Sequence, residues 1–168
     1  MSIELHAIAA PVFVARLKSL VHVLKIGESD GRAKGLAEDA ILGARLAPDM
    51  FDLKRQVQIA TDHAKGAMAR LAGIDVPSFP DDEQTFAELY ARIDKTLAFV
   101  ASVSPAAVNG REATIVTLKL RSETLEMPAL DYLQGFAIPN FYFHLTTAYD
   151  ILRHLGVPVG KRDFLWRE

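Results

Sequence analysis

The stretch PNFYFHLTTAYDILRHLGVP, residues 139–158, decides the fold class of this chain. Pro139 opens it, and Gly156 with Pro158 closes it. Proline suits the first turn of a helix, and glycine followed by proline is typical of a helix end. Because apolar residues recur between them at helical spacing, the stretch predicts one long helix. His144 falls on the apolar side of that helix, one turn after Asn140.

Three further segments also carry apolar residues at helical spacing between turn signals, which predicts three more helices. The predicted helices with their start and end signals are 11–25 before Gly27 and Gly31, 48–71 between Asp49 and Gly73, and 85–103. A linker that contains a short helix near 38–42 joins the first two. These segments and the stretch 139–158 together supply four amphipathic helices.

The chain between the third and fourth helices changes to a period of two, which is typical of strands. Residues 115–120 and 124–127 flank Arg121, Ser122 and Glu123, so we predict a β-hairpin with an exposed tip. A lone hairpin is marginal in water, so it should rest on the helices. A further helical piece is expected over 128–137, after which Pro139 breaks or restarts the helix.

Four helices and one hairpin favour an all-α protein, an antiparallel four-helix bundle with the small hairpin between helices three and four. The 168 residues predict a single domain, 1–168, with a core of its own. The net charge of −2 and the lack of a basic block give no reason to expect a nucleic-acid partner. The absence of cysteine excludes disulfides, thiolate catalysis and cysteine-ligated zinc.

The start of the chain lacks the positive region of a signal peptide, and no uninterrupted apolar run approaches the ~18 residues of a membrane span. We therefore expect a cytoplasmic protein without a membrane segment. The common catalytic patterns GxSxG, HExxH and GxGxxG and the P-loop are also missing. No catalytic residue is assigned from the sequence.

Two histidines on different helices are the candidate site. His63 lies on the small, apolar side of the second helix, and His144 lies on the side of the fourth helix that should face the bundle. Neutral imidazole is the commonest ligand for first-row divalent metals, and bundle cores are usual places for such sites. Asn140 could add an amide oxygen. The alternative is that both histidines are packed, hydrogen-bonded core residues.

The remaining histidines are assigned no role: His6 and His22 are predicted to be solvated, and His154 lies near a helix end. The aromatic cluster around the fourth helix has two interpretations. Tyr142, Phe143 and Thr147 could line a pocket for an apolar ligand, or the aromatic residues could fill core or a dimer interface.

Several motifs together carry a resemblance to a known family. The run from His144 through LRHLGVP, residues 152–158, to DFL, residues 163–165, resembles the end of the DinB/YfiT-like superfamily, whose members are expected to be metalloenzymes. LAPDM, QVQIA, AKG, PNFYFH and GKRDF, beginning at residues 46, 56, 64, 139 and 160, resemble a bacterial branch catalogued as a domain of unknown function. The resemblance covers nearly the whole chain.

The resemblance implies an up-down-down-up four-helix bundle that is often a homodimer. It also implies a metal held by one histidine on helix two and by two histidines, four residues apart, on helix four. His63 and His144 match two of these positions, and Asn140 occupies the third. Characterised relatives include metal-dependent thiol transferases and a thiol-dependent isomerase.

The residues and the resemblance together leave two kinds of function open. The first is a degenerate or metal-dependent enzyme that acts on a small molecule or thiol, with Zn, Ni or Mn as its metal. The alternative is a metal-free protein that binds a small ligand or forms a dimeric scaffold without catalytic activity.

Overall fold

Four long helices form the body of the protein in the computed structural model, which describes residues 4–120 and 122–166. They are α1 (Leu5–Ala33), α3 (Leu53–Ala72), α4 (Phe86–Ser102) and α7 (Ile138–His154). The short helices are α2 (Glu38–Leu42), α5 (Pro105–Val108), α6 (Ala129–Tyr132) and α8 (Lys161–Phe164). Because α3 packs against both α4 and α7, and α1 against the same two, one apolar core lies between the four long helices. The predicted helical bundle is confirmed.

Helix α1 is longer than the predicted 11–25, and neither Gly27 nor Gly31 ends it. Gly27 lies close to α7 instead, because a Cβ there would lie 2.8 Å from a methyl carbon of Leu152 and that side chain would have to shift. Glycine thus lets α1 and α7 approach each other. The helix ends where Gly35 takes a positive φ of 69°, a conformation that favours glycine.

Helix α3 begins later than predicted, at Leu53 rather than near residue 48. Its N-cap is Asp52, whose carboxylate accepts a hydrogen bond from the Arg55 backbone N–H at 2.8 Å, so Asp49 is not the cap. The helix ends before Gly73, as predicted. Helix α4 follows the predicted range within one residue at each end and is capped by Thr85.

The predicted hairpin is confirmed as strands β1 (Ile115–Lys119) and β2 (Thr124–Pro128), which pair in antiparallel register. Val116 and Leu118 of β1 are buried, so one face of the hairpin rests on the body of the protein. Ser122 and Glu123 of the predicted tip are exposed, and Arg121 lies outside the described residues.

Pro139 does not break the chain into two helices. The segment Leu133–Ala137 forms a π-helical turn that joins α6 to α7, and the Ile138 N–H donates to the Leu133 carbonyl five residues back. Proline lacks an N–H, and its ring crowds the carbonyl four residues earlier in a regular α-helix. The wider π turn accommodates it, and such turns often occur at functional sites. This turn sets the position of Phe136 and Asn140.

Two histidines predicted to be solvated instead hold the ends of the chain. The His22 Nε2 lies 3.1 Å from the Asp163 carboxylate, and the His22 ring stacks on Trp166 at 4.8 Å between centroids. The His6 Nε2 lies 3.0 Å from the Val103 carbonyl oxygen. The C-terminal residues therefore pack back onto α1.

Among the described residues, α1 is the one helix long and apolar enough to cross a membrane by length and composition. The sequence had not shown this segment because charged residues interrupt it. Half of the most apolar 18-residue stretch of α1 is buried inside the fold, where α1 packs against α4, α7 and α8. The core helix of a globular protein can have the same length and composition, and the packing of α1 in the core accounts for its apolar character.

Candidate functional site

The structure brings His63 and His144 together between α3 and α7. Their imidazole rings are stacked, with centroids 5.6 Å apart and planes inclined by 15°. Both side chains are half-buried. The two helices pack against each other more extensively than any other pair of elements, which holds the two rings in place. The pairing expected from the helix faces is therefore present.

A buried glutamine orients His144. The Gln56 side-chain oxygen lies 2.7 Å from His144 Nδ1, and the Gln56 amide nitrogen donates to the Phe51 carbonyl at 3.1 Å. A carbonyl can only accept, so the amide nitrogen must face Phe51 and the amide oxygen must face the imidazole. His144 Nδ1 is then the donor, and its Nε2 carries a lone pair.

His63 has a different environment. Neither of its ring nitrogens makes a hydrogen bond with any residue in the described part of the chain, and the ring lies 6.2 Å from that of Phe136. Burial lowers the pKa of His63 to about 4, with a smaller contribution from His144, while Asp62 opposes the shift. Burial, followed by the Arg55 charge, also lowers the pKa of His144. Both imidazoles are therefore neutral near pH 7.

Asn140 lies one turn before His144, as expected, and is half-buried. Its amide nitrogen donates to the Phe136 carbonyl at 2.7 Å, which anchors the side chain on its own helix at the π turn. Its amide oxygen accepts no hydrogen bond from a described residue. One neutral oxygen of Asn140 thus remains available, one turn before His144.

The possible metal ligands of this site are the imidazoles of His63 and His144 and the amide oxygen of Asn140. Two neutral imidazoles and one amide oxygen suit Zn or Ni, but catalytic zinc sites usually have three imidazole, carboxylate or thiolate ligands. The carboxylate of Asp62, the residue before His63, forms ion pairs with Arg92 and Lys65, each at 2.8 Å. No group of three or more His, Cys, Asp or Glu residues that could hold a metal ion occurs in the described ranges. The described residues therefore bring together two imidazoles and one amide, a smaller donor set than a catalytic zinc site usually has.

Tyr142, Phe143 and Thr147, which were predicted to line one pocket, have different surroundings in the structure. Phe143 is 59% exposed and meets the His144 ring edge-on at 5.2 Å. Thr147 is buried, and its hydroxyl donates to the Phe143 carbonyl at 2.7 Å. Tyr142 lines a groove of about 960 Å³ with Leu165, Trp166 and α1. Residues 142 and 144 are about 200° apart on a helix, so this groove and the histidine pair lie on different faces of α7.

Sequence reasoning missed Gln56 as a site residue. It lies seven residues before His63, which is two helical turns, so both belong to the same face of α3. A glutamine on an otherwise apolar face was the available signal, because a buried amide requires partners. Gln56 is 1% exposed, and both ends of its amide are hydrogen-bonded.

A buried ionic cluster lies beside the histidine pair, on the α4 side of α3. Arg92 is 4% exposed and hydrogen-bonds Thr61, Asp62 and Glu83 at 2.7–3.0 Å. The cluster holds the middle of α3 against α4 and the preceding loop. It fixes the backbone next to His63 and engages the only carboxylate adjacent to that residue in the chain.

Comparisons with known proteins agree with this fold. The profile of DUF1993, a domain of unknown function, matches residues 5–165. A crystal structure of a DinB family member from Shewanella denitrificans is 38% identical, with a TM-score of 0.89, over 98% of this chain and 93% of that chain. No curated protein matches the chain. The chain is therefore a DinB-like helical bundle and belongs to the DUF1993 family.

Proposed function

We propose that this protein is a metal-dependent DinB-like enzyme in which His63 and His144 hold one divalent cation. The observation that carries the proposal is the stacked pair of neutral imidazoles, 5.6 Å between centroids, contributed by two tightly packed helices. Imidazole lone pairs lie in the ring plane, so one ring would have to turn out of the stacked arrangement before both could bond one ion at lengths near 2.1 Å. A bound cation would act as a Lewis acid that lowers the pKa of a water or a substrate thiol.

The chain's own residues prepare the site in three ways. Burial keeps both imidazoles unprotonated, as ligation requires. Gln56 orients the His144 ring. Asn140 offers a neutral oxygen. With two imidazoles and one amide, the protein would leave coordination positions for water and for a small molecule such as a thiol.

Calorimetric titration of tag-free protein with Zn²⁺, Ni²⁺ and Mn²⁺ tests this proposal. We expect one ion per chain, with Zn²⁺ or Ni²⁺ preferred over Mn²⁺ because imidazole is the main ligand. His144→Ala should abolish binding. His154→Ala is the matched control, since His154 is exposed on the same helix. Equal binding in the two variants, or no stoichiometric binding in the natural protein, would refute the proposal.

A second candidate function rests on the Tyr142 groove, which is large and mostly apolar in its lining. A metal-free protein could bind a small apolar ligand there. Native mass spectrometry of protein purified under mild conditions would detect a co-purified ligand. This candidate predicts its loss in Tyr142→Ala and its retention in His63→Ala, whereas a ligand lost only in the histidine variant favours the metal-dependent enzyme.

We also propose that the protein is a cytoplasmic homodimer. The observation behind this proposal is that large hydrophobic side chains such as Phe51, Phe143 and Leu165 are exposed, and a dimer interface would cover side chains of this kind. Light scattering coupled to size-exclusion chromatography distinguishes about 18.5 kDa for the monomer from twice that mass for the dimer. Elution at the monomer mass at all concentrations would contradict this part of the proposal.

A further inference from the structure

We infer that Gln56 is a positioning residue that fixes His144 in the Nδ1–H tautomer and so presents the Nε2 lone pair to whatever the site binds. The inference deepens the proposed function and rests on it for the identity of the ligand. The tautomer itself is a property of the protein alone. It can therefore be tested whether or not a metal binds.

Two hydrogen bonds in series carry the inference. The Phe51 carbonyl accepts from the Gln56 amide nitrogen at 3.1 Å, and the Gln56 amide oxygen accepts from His144 Nδ1 at 2.7 Å. Rotating the amide by 180° would place its oxygen against the Phe51 carbonyl and its NH₂ group against the imidazole. That arrangement loses the Phe51 bond and sets two acceptors face to face, so the orientation is determined by the network.

The consequence for His144 concerns its second nitrogen. A neutral imidazole has one N–H and one lone pair, and fixing the proton on Nδ1 leaves the lone pair on Nε2. Outer hydrogen bonds of this kind select the tautomer and hold the ring orientation at metal sites. Without the Gln56 oxygen, the proton could occupy either nitrogen, and part of the population would have no lone pair at Nε2.

Gln58, on the same helix, is a buried glutamine whose hydrogen-bond partners do not include the histidine pair. It is 2% exposed, against 1% for Gln56, and it donates to Glu83 at 2.8 Å and accepts from Arg55 at 3.1 Å. No hydrogen bond joins it to either histidine of the pair. The two glutamines therefore have the same chemistry and burial but different partners, and Gln58 provides the matched control.

The experiment is long-range ¹H–¹⁵N NMR of the histidine rings, on metal-free protein at pH 7.5. We expect the natural protein to show His144 with a protonated Nδ1 and an unprotonated Nε2. Gln56→Met should shift His144 toward a mixture of tautomers, and Gln58→Met should leave it unchanged. Zn²⁺ affinity, measured in parallel, should fall about 10- to 100-fold in Gln56→Met.

The outcomes separate this inference from the proposed function. An Nε2–H tautomer in the natural protein overturns the inference directly, even if Gln56→Met does not fold. An unchanged tautomer in Gln56→Met also overturns it. A tautomer that follows Gln56 in protein that binds no divalent ion supports the positioning role and refutes only the metal-dependent enzyme.

Discussion

Two polar clusters lie side by side on α3, and they differ in how completely their hydrogen-bonding groups are used. In the first cluster, the Arg92 Nε–H donates a hydrogen bond to Thr61. The two terminal nitrogens of Arg92 donate to the Pro80 carbonyl and to the carboxylates of Glu83 and Asp62. In the second, only one of the four ring nitrogens of His63 and His144 is hydrogen-bonded to a described residue.

The difference concerns how many polar groups in each cluster lack a partner within the protein. Buried polar groups are nearly always satisfied, since an unmet donor or acceptor costs about 1–3 kcal/mol. The Arg92 cluster follows that rule and leaves no donor for a ligand. The unpaired ring nitrogens of the histidine pair are not among the buried unpaired atoms of the described residues, so they are open to water or to a ligand. This contrast supports the proposal that the histidines bind a ligand and that the Arg92 cluster stabilises the fold.

The largest effect is expected from Arg92→Met, which removes the cation and leaves Glu83 and Asp62 without their buried partner. Breaking such an ionic cluster should lower the free energy of unfolding by about 3–5 kcal/mol. Urea denaturation measures the loss. Lys95→Met is the control, because the Lys95 ammonium also lies over the Phe79 ring, at 4.1 Å, but the side chain is exposed. Equal losses in the two variants would contradict a special role for Arg92.

The second prediction concerns pH and His63. Its pKa is 6.5 in the unfolded reference and about 4 in the folded protein, mainly because of burial. Between these values the unfolded chain binds a proton that the folded protein excludes, so acid favours unfolding. Stability should be complete above about pH 6.5 and fall as the pH approaches 4. At pH 5 the contribution is at most about 2 kcal/mol, since each pKa unit equals about 1.4 kcal/mol.

Denaturation midpoints at pH 7 and pH 5 check this dependence. His63→Gln should reduce the difference between the two conditions, and His154→Gln should not, because His154 is exposed. An unchanged pH dependence in His63→Gln would show that His63 titrates normally in the folded protein.

The smallest predicted effect is an increase in Zn²⁺ affinity. Asn140→His adds a third imidazole one turn before His144 and should raise the Zn²⁺ affinity at least about tenfold, which equals about 1.4 kcal/mol. Thr146→His adds an imidazole on an exposed face of the same helix and should change little. A gain in both variants, measured by calorimetry, would indicate nonspecific binding. No gain in Asn140→His would mean that residue 140 does not face the ion.

Much of the fold was predictable because helix faces and turn signals are local. The four helices and the hairpin were found, and the facing sides of the second and fourth helices correctly brought His63 and His144 together. Helix ends that depend on tertiary packing were not predictable. Gly27 looked like a stop signal, but its small size serves the contact with Leu152 on α7.

The supporting residues of the site were less accessible to sequence reasoning. The role of Gln56 depends on a partner 88 residues away and on the Phe51 carbonyl in a preceding loop, and neither contact leaves a pattern in the chain. The placement of Tyr142 in a separate groove follows from helix rotation. It was obscured because the surrounding aromatic residues were considered as one cluster.

The most direct test of the central claim is a crystal structure of the protein grown with Zn²⁺, with diffraction data collected at the zinc absorption edge. We predict one anomalous difference peak per chain, bonded at about 2.0–2.1 Å to one nitrogen of His63 and to Nε2 of His144. An absent peak, or a peak elsewhere while the two rings remain stacked, would contradict the claim that this pair holds a metal.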